Sequence, residues 1–276
     1  MTPATPGARS PVFILGLGAQ KSGTTWLHRY LAENENFCGG IAKEYHVWDA
    51  HDIPVMRHKK GNVLHLLRGE KKAERYRMQR SSDQYFNYFA ALFGDGIDLT
   101  ADITPSYSGL GPERLAFIRD QFAKRGIVTK TIILIRDPLS RIKSAVRYNL
   151  RKRNYKEGIT PGVTDFIQAL SQYYRSEECR MRTAYNATIS NALSVFGQSG
   201  TYIGVYESMF EPPELERLSA FCGVPVRQHL SEVYVKKTAG KMERDPQLDA
   251  DIRDAYRDVY EFCFEKIPET GRLWSG

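Results

Sequence analysis

The sequence has few cysteines and no long apolar run, and each absence excludes a class of protein. Its four cysteines are far apart in the chain and form no C-x-x-C pair, which argues against a zinc site or a disulfide framework. No stretch approaches the ~18 apolar residues that a membrane-spanning helix needs. Residues 1–10 lack the apolar core of a signal peptide, so we expect a cytoplasmic protein without a membrane span.

The composition is that of an ordinary globular protein. Of the 276 residues, 42% are hydrophobic and 26% are charged. We expect residues 1–10 to be disordered and residues 11–276 to form a single domain. The net charge of +7 favours an anionic partner. Because the basic residues are interspersed with acidic ones and match no nucleic-acid-binding motif, we expect a polyanionic cofactor or an acidic substrate rather than nucleic acid.

Residues 12–26 have the pattern of a strand, a glycine loop and a helix. The apolar run at 12–15 is typical of a buried parallel strand, and apolar residues from Trp26 to Leu31 recur at helical spacing. A glycine loop that enters a helix directs free backbone N–H groups and the positive end of the helix dipole at one place. The pattern therefore predicts an anion site at the start of the helix, with a plain strand-to-helix turn as the alternative.

The loop departs from the nucleotide-binding pattern G-x-x-x-x-G-K-[ST] at one position. Gly18 and Gly23 have the required spacing, and Thr25 supplies the hydroxyl. Thr24, however, occupies the position of the lysine found in nucleoside triphosphatases. The loop instead carries Lys21, so the usual lysine and Mg²⁺ arrangement for a γ-phosphate is incomplete. Such a loop is still suited to a 5′-phosphate group.

A second strand-to-helix junction follows further along the chain. Residues 132–135 are typical of a buried strand, Asp137 is a suitable N-cap, and Pro138 occupies the first helical position. Arg136 then lies at the same sheet edge as the glycine loop, and Ser144 lies about two helical turns further on. The junction predicts that Arg136 and Ser144 hold a second phosphate. The alternative for Arg136 is an ion pair with Asp137 or a neighbour.

The segment 41–49 carries side chains that suit proton transfer. Lys43, Glu44, His46 and Asp49 are close together in it and lie among aromatic residues. If the segment is extended, Glu44 and His46 share one face and place a general base beside a second proton-handling group. The alternative is a solvated surface loop.

The segment Thr104 to Tyr107 follows a predicted strand at 96–103. Ligands in open α/β sheets bind beyond the carboxyl ends of strands, so this segment is a candidate substrate contact. The alternative is a plain proline-containing turn.

The rest of the chain alternates helices and strands and predicts an α/β fold. An aromatic stripe at 82–93 is typical of a core helix, whereas the basic segment 52–80 is predicted to be peripheral and solvated. Asp245 and Pro246 are predicted to cap a final helix whose buried stripe ends at Cys263. Further helices are predicted at 111–124, 182–196 and 212–221, and a further strand at 201–206.

Taken together, these motifs resemble those of the sulfotransferases that use 3′-phosphoadenosine 5′-phosphosulfate (PAPS). The segment Lys21 to Thr25 resembles the family's 5′-phosphosulfate loop, and Arg136 with Ser144 resembles its 3′-phosphate pair at the expected spacing. The closer likeness is to the carbohydrate branch, which includes the heparan sulfate sulfotransferases. The segment 43–49 is similar to the K-E-x-H-F-F-D segment of that branch, in which the glutamate is the catalytic base.

Two further segments resemble the same branch. Thr104 to Tyr107 is similar to its K-T-P-S-Y segment, although Ile103 stands in place of the lysine. Gly240 and Lys241 resemble part of its basic donor-binding loop.

The resemblance implies a P-loop NTPase-like fold in which a central parallel sheet is flanked by helices on both faces, with one sulfotransferase-like domain at 11–276. It implies in-line transfer of a sulfuryl group from PAPS to an acceptor hydroxyl on a glycan or a small molecule. The product of the donor is 3′-phosphoadenosine 5′-phosphate (PAP), and no metal is required.

The resemblance also implies roles for particular residues. Lys21, Glu44 and His46 are the implied catalytic residues, with Glu44 as the base and His46 orienting the acceptor or serving as the alternative base. The implied donor-binding residues are Lys21, Ser22, Gly23, Thr24, Thr25, Arg136, Ser144, Gly240 and Lys241. The implied substrate-binding residues are Lys43, Trp48, Asp49, Thr104, Pro105, Ser106 and Tyr107.

Two other classes remain as alternatives. A P-loop nucleotide or small-molecule kinase would bind ATP with Mg²⁺, and Thr24 in place of the lysine argues against it. A non-catalytic anion-binding or nucleic-acid-binding protein would need no base, and Glu44 beside His46 argues against it. The sequence leaves the acceptor and the oligomeric state open.

Overall fold

The computed structural model describes residues 10–232 and 245–275. Within them, five parallel strands form one sheet in the order β2-β3-β1-β4-β5. The central strand is β1, where Gly16 is in register with Ile103 of β3 and with Ile132 of β4. The carboxyl ends of these three strands therefore point to the same edge of the sheet. The strands are β1 (Val12–Gly16), β2 (Phe37–Cys38), β3 (Leu99–Ile103), β4 (Val128–Ile135) and β5 (Thr201–Val205).

Fourteen α-helices and three 3₁₀ helices occur in the described residues. The 3₁₀ helices are Pro54–Lys59, Val63–Leu67 and Pro105–Gly109. The α-helices are α1 (Thr24–Ala32), α2 (Trp48–Asp52), α3 (Glu70–Arg80), α4 (Ser82–Ala90), α5 (Pro112–Ala123), α6 (Pro138–Lys152), α7 (Phe166–Tyr173), α8 (Glu177–Thr183), α9 (Tyr185–Phe196), α10 (Pro212–Cys222), α11 (His229–Glu232), α12 (Pro246–Ala255), α13 (Arg257–Lys266) and α14 (Glu269–Leu273).

The core consists of two apolar clusters, one on each face of the sheet. Side chains of β1 alternate between them, with Phe13 and Leu15 in the larger cluster and Ile14 in the smaller one. In the larger cluster the rings of Phe13 and Phe122 stack with 4.1 Å between their centroids. Trp26 of α1 is buried in the smaller cluster. The predicted α/β fold, with a parallel sheet between two layers of helices, is confirmed.

The junction after β4 has the predicted caps. The Asp137 carboxylate accepts a hydrogen bond from the backbone N–H of Ser140 at 2.7 Å, and Pro138 is the first residue of α6. The sequence pattern predicts β1, β3, β4 and β5, but a strand of only two residues such as β2 has no periodicity to detect.

Two helix predictions are wrong in their extent. The helix predicted at 182–196 is divided at Ala184, so that α8 carries Arg182 in a buried ion pair while α9 packs against the core. The final helix is interrupted at Tyr256, which separates α12 from α13. The Tyr256 hydroxyl donates a hydrogen bond to the carbonyl of Tyr174 at 2.7 Å, and this tertiary contact outweighs local helical preference.

The segment 41–49 is not extended, because tertiary hydrogen bonds hold it in an irregular path. The backbone N–H of Tyr45 donates to the Thr104 hydroxyl at 2.9 Å, His46 has a φ of +53°, and α2 begins at Trp48. The predicted periodicity of two therefore does not apply there.

In the two described ranges, the helices are all too short or too polar to cross a lipid bilayer. Residues 1–9, most of the N-terminal stretch predicted to be disordered, lie outside these ranges, as do Gly240 and Lys241.

Candidate functional site

The glycine loop lies between β1 and α1, and backbone bonds fix it to β4. The N–H groups of Leu17 and Ala19 donate to two carbonyls of β4 at 2.9 and 2.6 Å. Gly18 has a φ of +99°, and a side chain there would approach the carbonyl oxygen of Pro105 to within 2.6 Å. The loop therefore packs closely against the segment that follows β3.

The end of the loop presents backbone N–H groups at the start of a helix. Lys21 and Gly23 have φ values of +71° and +91°, and α1 begins directly afterwards at Thr24. The N-cap of α1 makes no side-chain hydrogen bond, so the first N–H groups of this helix are suited to an anion. Ser22 is buried, and its hydroxyl has no hydrogen-bond partner among the residues that the structure describes.

Lys21 lies among other cations. Its ammonium is 4.6 Å from the centroid of the Tyr148 ring, and its carbonyl accepts a hydrogen bond from Arg136 at 3.3 Å. Burial lowers the pKa of this lysine, and the charges of Arg151, Arg136 and Lys43 lower it further. This concentration of positive charge favours a bound anion beside the loop.

Arg136 is held by an aromatic ring rather than by a close ion pair. Its guanidinium lies 4.5 Å from the centroid of the Tyr206 ring, and its Nε is 3.9 Å from a carboxylate oxygen of Glu207. That Nε makes no hydrogen bond within residues 10–232 and 245–275. The Asp137 carboxylate accepts instead from a backbone N–H and from a tyrosine hydroxyl, both at 2.7 Å. Arg136 therefore brings to the cavity a positive charge that no close ion pair among the described residues neutralises.

Glu44 begins a chain of interacting side chains. One Glu44 oxygen is 2.7 Å from the Lys43 ammonium, and the other is 3.4 Å from Nε2 of His46. The opposite ring nitrogen of His46 lies 2.7 Å from Asp49 Oδ2, which also accepts a hydrogen bond from the Ser106 hydroxyl at 2.5 Å. Asp49 thus fixes the orientation of the imidazole beside Glu44.

These contacts set the charges of the two groups. Burial by itself raises the pKa of Glu44, but the hydrogen bond from His46 and the charge of Lys43 outweigh it and lower the pKa to about 2. Burial by itself lowers the pKa of His46, but hydrogen bonds to Asp49 and Glu44 outweigh it and raise the pKa. Glu44 is therefore a carboxylate at neutral pH, and His46 holds its proton more tightly than an exposed histidine does.

One cavity of about 390 Å³ brings together the glycine loop, Arg136 with Ser144, and Glu44 with His46. The predicted site residues in it come from four distant parts of the sequence, and they meet because three of these parts follow the neighbouring parallel strands β1, β3 and β4. The predicted site residues that line the cavity are Lys21, Gly23, Thr24, Thr25, Lys43, Glu44, His46, Pro105, Ser106, Arg136 and Ser144.

Four predicted substrate-binding residues do not line this cavity. Trp48 packs among aromatic rings of α4 and α5, and Asp49 is fully buried behind His46. The hydroxyls of Thr104 and Tyr107 donate to a buried aspartate of β3 at 2.6 and 2.8 Å. Their burial gives all four a supporting position, so we revise the expectation that they contact substrate directly.

The structure adds cavity residues that the sequence reasoning missed. Arg182 is only 3% exposed, and its guanidinium donates to Glu157 at 2.5 Å and to Gln20 at 3.0 Å. The charge of Arg182 outweighs burial and lowers the pKa of Glu157. The added residues are Gln20, Trp26, Lys59, Tyr148, Asn154, Glu157, Arg182 and Tyr206.

Only some of these residues leave a signal in the sequence. Tyr148 lies four positions after Ser144 on α6, so helical spacing places both on one face. Glu157 and Arg182 carry no such signal, because the folding of α8 against the rest of the chain brings them together.

The protein resembles known proteins in its structure rather than in its sequence. No protein-family model matches the sequence, and no curated protein matches it. A sulfotransferase from Alicyclobacillus acidocaldarius aligns with a TM-score of 0.59 at 20% sequence identity, over 94% of this chain and 96% of that chain. The chain therefore has the sulfotransferase fold.

Looser alignments are found with two other solved structures. Mouse sulfotransferase SULT7A1, solved with PAP, aligns with a TM-score of 0.49 at 13% identity, over 97% of this chain and 89% of that chain. The sulfotransferase domain of the Synechococcus PCC 7002 olefin synthase aligns with a TM-score of 0.47 at 17% identity, over 90% of each chain.

Proposed function

We propose that this protein is a sulfotransferase that moves a sulfuryl group from PAPS to an acceptor hydroxyl on a glycan or a small molecule. The observation that carries the proposal is the shared cavity, which is lined by the glycine loop, by Arg136 with Ser144, and by Glu44 with His46. A donor with phosphate groups at two positions needs two anion sites, and an acceptor hydroxyl needs a group that takes its proton.

The charges of the cavity support an anionic donor of this kind. Lys21 and Arg136 both line the cavity beside the loop, and α1 presents its N-terminus there. We assign the 5′-phosphosulfate to residues 21–25 and the 3′-phosphate to Arg136 and Ser144. The assignment of Gly240 and Lys241 to the donor rests on sequence resemblance.

Bound PAPS would supply the sulfuryl group that is transferred, and PAP would leave with the negative charge on its 5′-phosphate. Lys21 and the loop N–H groups are placed to neutralise negative charge that develops on that leaving group. Glu44 accepts the proton of the acceptor hydroxyl, and its low pKa keeps it in the carboxylate form. A weak base is sufficient if the transition state is loose, as in phosphoryl transfer, because the nucleophile then needs little activation before the bond forms.

We assign His46 to positioning rather than to proton removal. Its two ring nitrogens lie next to carboxylates of Asp49 and Glu44, and its pKa is raised, so neither nitrogen is a ready proton acceptor. Asp49 and Ser106 complete this support.

Thermal unfolding in the presence of candidate ligands tests the proposal. PAP should raise the unfolding midpoint more than ATP with Mg²⁺ or a single-stranded oligonucleotide does, because only a ligand that binds the native state stabilises it. A larger shift with ATP and Mg²⁺ would identify a kinase-like site. A shift with the oligonucleotide alone would favour a nucleic-acid-binding protein.

A further inference from the structure

The 3₁₀ helix Val63–Leu67 exposes a cluster of apolar side chains, here called the apolar turn. Val63 is 62% exposed, Leu64 51%, Leu66 40% and Leu67 86%. Only seven large apolar side chains are comparably exposed in residues 10–232 and 245–275, and four of them are in this five-residue helix. Contiguous apolar surface of this kind marks an interaction site more often than scattered exposed residues do.

The apolar turn does not depend on the core for its shape. The backbone N–H of Asn62 donates to the His65 ring at 3.0 Å, and the N–H of His65 donates back to the Asn62 carbonyl at 2.9 Å. No residue of Val63–Leu67 is buried. Local hydrogen bonds therefore help to hold the four side chains in partly or largely exposed positions.

Cations surround the apolar turn. Residues 57–80 contain nine of the chain's 39 lysines and arginines but only two of its 32 acidic residues. The net charge of this segment is therefore +7, equal to that of the whole chain, and the rest of the sequence is balanced. The exposed cations of the segment are Arg57, Lys60, Arg68, Lys71, Lys72, Arg77 and Arg80.

We propose that the apolar turn and its surrounding cations dock the protein on an anionic lipid surface. Aliphatic side chains enter the boundary between headgroups and acyl chains, while lysine and arginine remain at the headgroups and bind their negative charge. The two features are complementary to such a surface, and each is present on the same short stretch of chain. A site for single-stranded nucleic acid would instead combine cations with exposed aromatic rings for base stacking, and the apolar turn has none.

The docking surface is connected to the cavity. Lys59 lines the cavity and precedes Val63 by four residues, which span at most about 14 Å. Helix α3 follows the apolar turn, and its Arg75 donates to the Glu44 carbonyl at 2.8 Å while its Gln79 donates to the His46 carbonyl at 2.6 Å. A bound membrane would therefore lie beside the proposed catalytic groups.

Cosedimentation with vesicles tests the proposal and requires neither donor nor acceptor. The wild-type chain should bind vesicles of equal parts phosphatidylcholine and phosphatidylserine and should not bind phosphatidylcholine alone. The double variant Leu64→Asp, Leu67→Asp removes apolar side chains that would insert between the lipids. The double variant Lys71→Glu, Lys72→Glu removes cations that would bind the anionic headgroups. Each should weaken binding at least about tenfold, because apolar burial and headgroup attraction both contribute.

Matched controls make the same chemical changes elsewhere. Val128→Asp with Val226→Asp replaces exposed apolar residues, and Lys124→Glu with Lys266→Glu changes the net charge by the same amount. Both controls should bind as the wild type does, and unfolding midpoints should establish that every variant is folded. The proposal is overturned if the wild type ignores anionic vesicles, if both vesicle types bind equally, or if the controls lose binding as the test variants do. Binding to an oligonucleotide or an acidic polypeptide without vesicle binding would also overturn it.

Discussion

At the scale of single residues, Glu44 has an environment that fixes its charge. Lys43 and His46 contact opposite oxygens of its carboxylate, and together they lower its pKa to about 2 despite burial. A group whose pKa is depressed on folding stabilises the fold above its unfolded pKa, and this contribution is lost as the pH falls through the folded value. The carboxylate is therefore present throughout the neutral range.

Glu44→Gln should lower the rate of sulfuryl transfer by ~10²–10³ or more, because the amide has no site that accepts the hydroxyl proton. Lys21→Ala should cause a loss of similar size, because charge on the leaving group is then less well neutralised. Single-turnover assays with PAPS measure both effects. Unchanged turnover in either variant would remove that residue from the mechanism, and a retained unfolding midpoint serves as the control.

Asp49→Asn should lower the pKa of His46, because the neutral amide no longer stabilises the imidazolium. A histidine whose pKa is raised on folding stabilises the fold below its unfolded pKa, and this contribution is lost as the pH rises through the folded value. The variant should therefore lose stability mainly at acidic pH. An NMR titration of the His46 ring protons measures the shift directly.

Ser106→Ala is the matched control for that titration. It removes the other hydrogen bond to Asp49 Oδ2 but leaves the charge of Asp49 in place, so the pKa of His46 should stay above its ordinary value. An equal fall in both variants would mean that the carboxylate does not determine the charge of His46.

At the scale of secondary-structure elements, the junctions that follow β1 and β4 could be predicted from sequence and the segment 41–49 could not. Glycine, proline and N-cap residues act locally, and Asp137 and Pro138 occupy the predicted positions. The path of 41–49 depends instead on hydrogen bonds to the segment after β3, such as that from Tyr45 to Thr104. No local pattern encodes a partner about sixty residues away.

The ion pair between α8 and the loop after α6 is a feature that sequence reasoning missed. Arg182→Ala should lower the free energy of unfolding by ~3–5 kcal/mol, because it leaves the buried carboxylate of Glu157 without its partner. Urea unfolding measures the change. Arg257→Ala breaks an exposed ion pair with Asp254 and should change the free energy by less than ~1 kcal/mol. Equal losses in the two variants would contradict the role given to burial.

At the scale of the whole molecule, the sheet order explains why a site predicted in pieces becomes one cavity. The carboxyl ends of β1, β3 and β4 are neighbours, so the glycine loop, the segment after β3 and Arg136 converge. A sequence with alternating strands and helices predicts a parallel sheet but does not fix the order of its strands. In addition, some residues that close the cavity, such as Glu157 and Arg182, come from elements outside the sheet. Their contribution becomes visible only in three dimensions.

The distribution of charge is also a property of the whole molecule. The sequence pattern predicts residues 52–80 to be a solvated, peripheral stretch, and most of its cations are exposed. The prediction that the stretch is peripheral is wrong in part, because Lys59 lines the cavity and α3 hydrogen-bonds to the backbone of Glu44 and His46. Exposure of the apolar turn beside them could not be predicted, because Val63, Leu64 and Leu67 are as suited to a core as to a surface. The excess positive charge of the chain is therefore concentrated next to the cavity.

We propose above all that one cavity holds two phosphate groups of the same nucleotide. Isothermal titration calorimetry with PAP and with adenosine 5′-phosphate, on the wild type and on Arg136→Ala, tests it most directly. Arg136→Ala should weaken PAP binding by about 10–100-fold, because charged hydrogen bonds contribute ~1.5–3 kcal/mol, and should leave adenosine 5′-phosphate binding nearly unchanged. An equal loss for the two nucleotides would contradict the claim and would mean that the 3′-phosphate lies elsewhere.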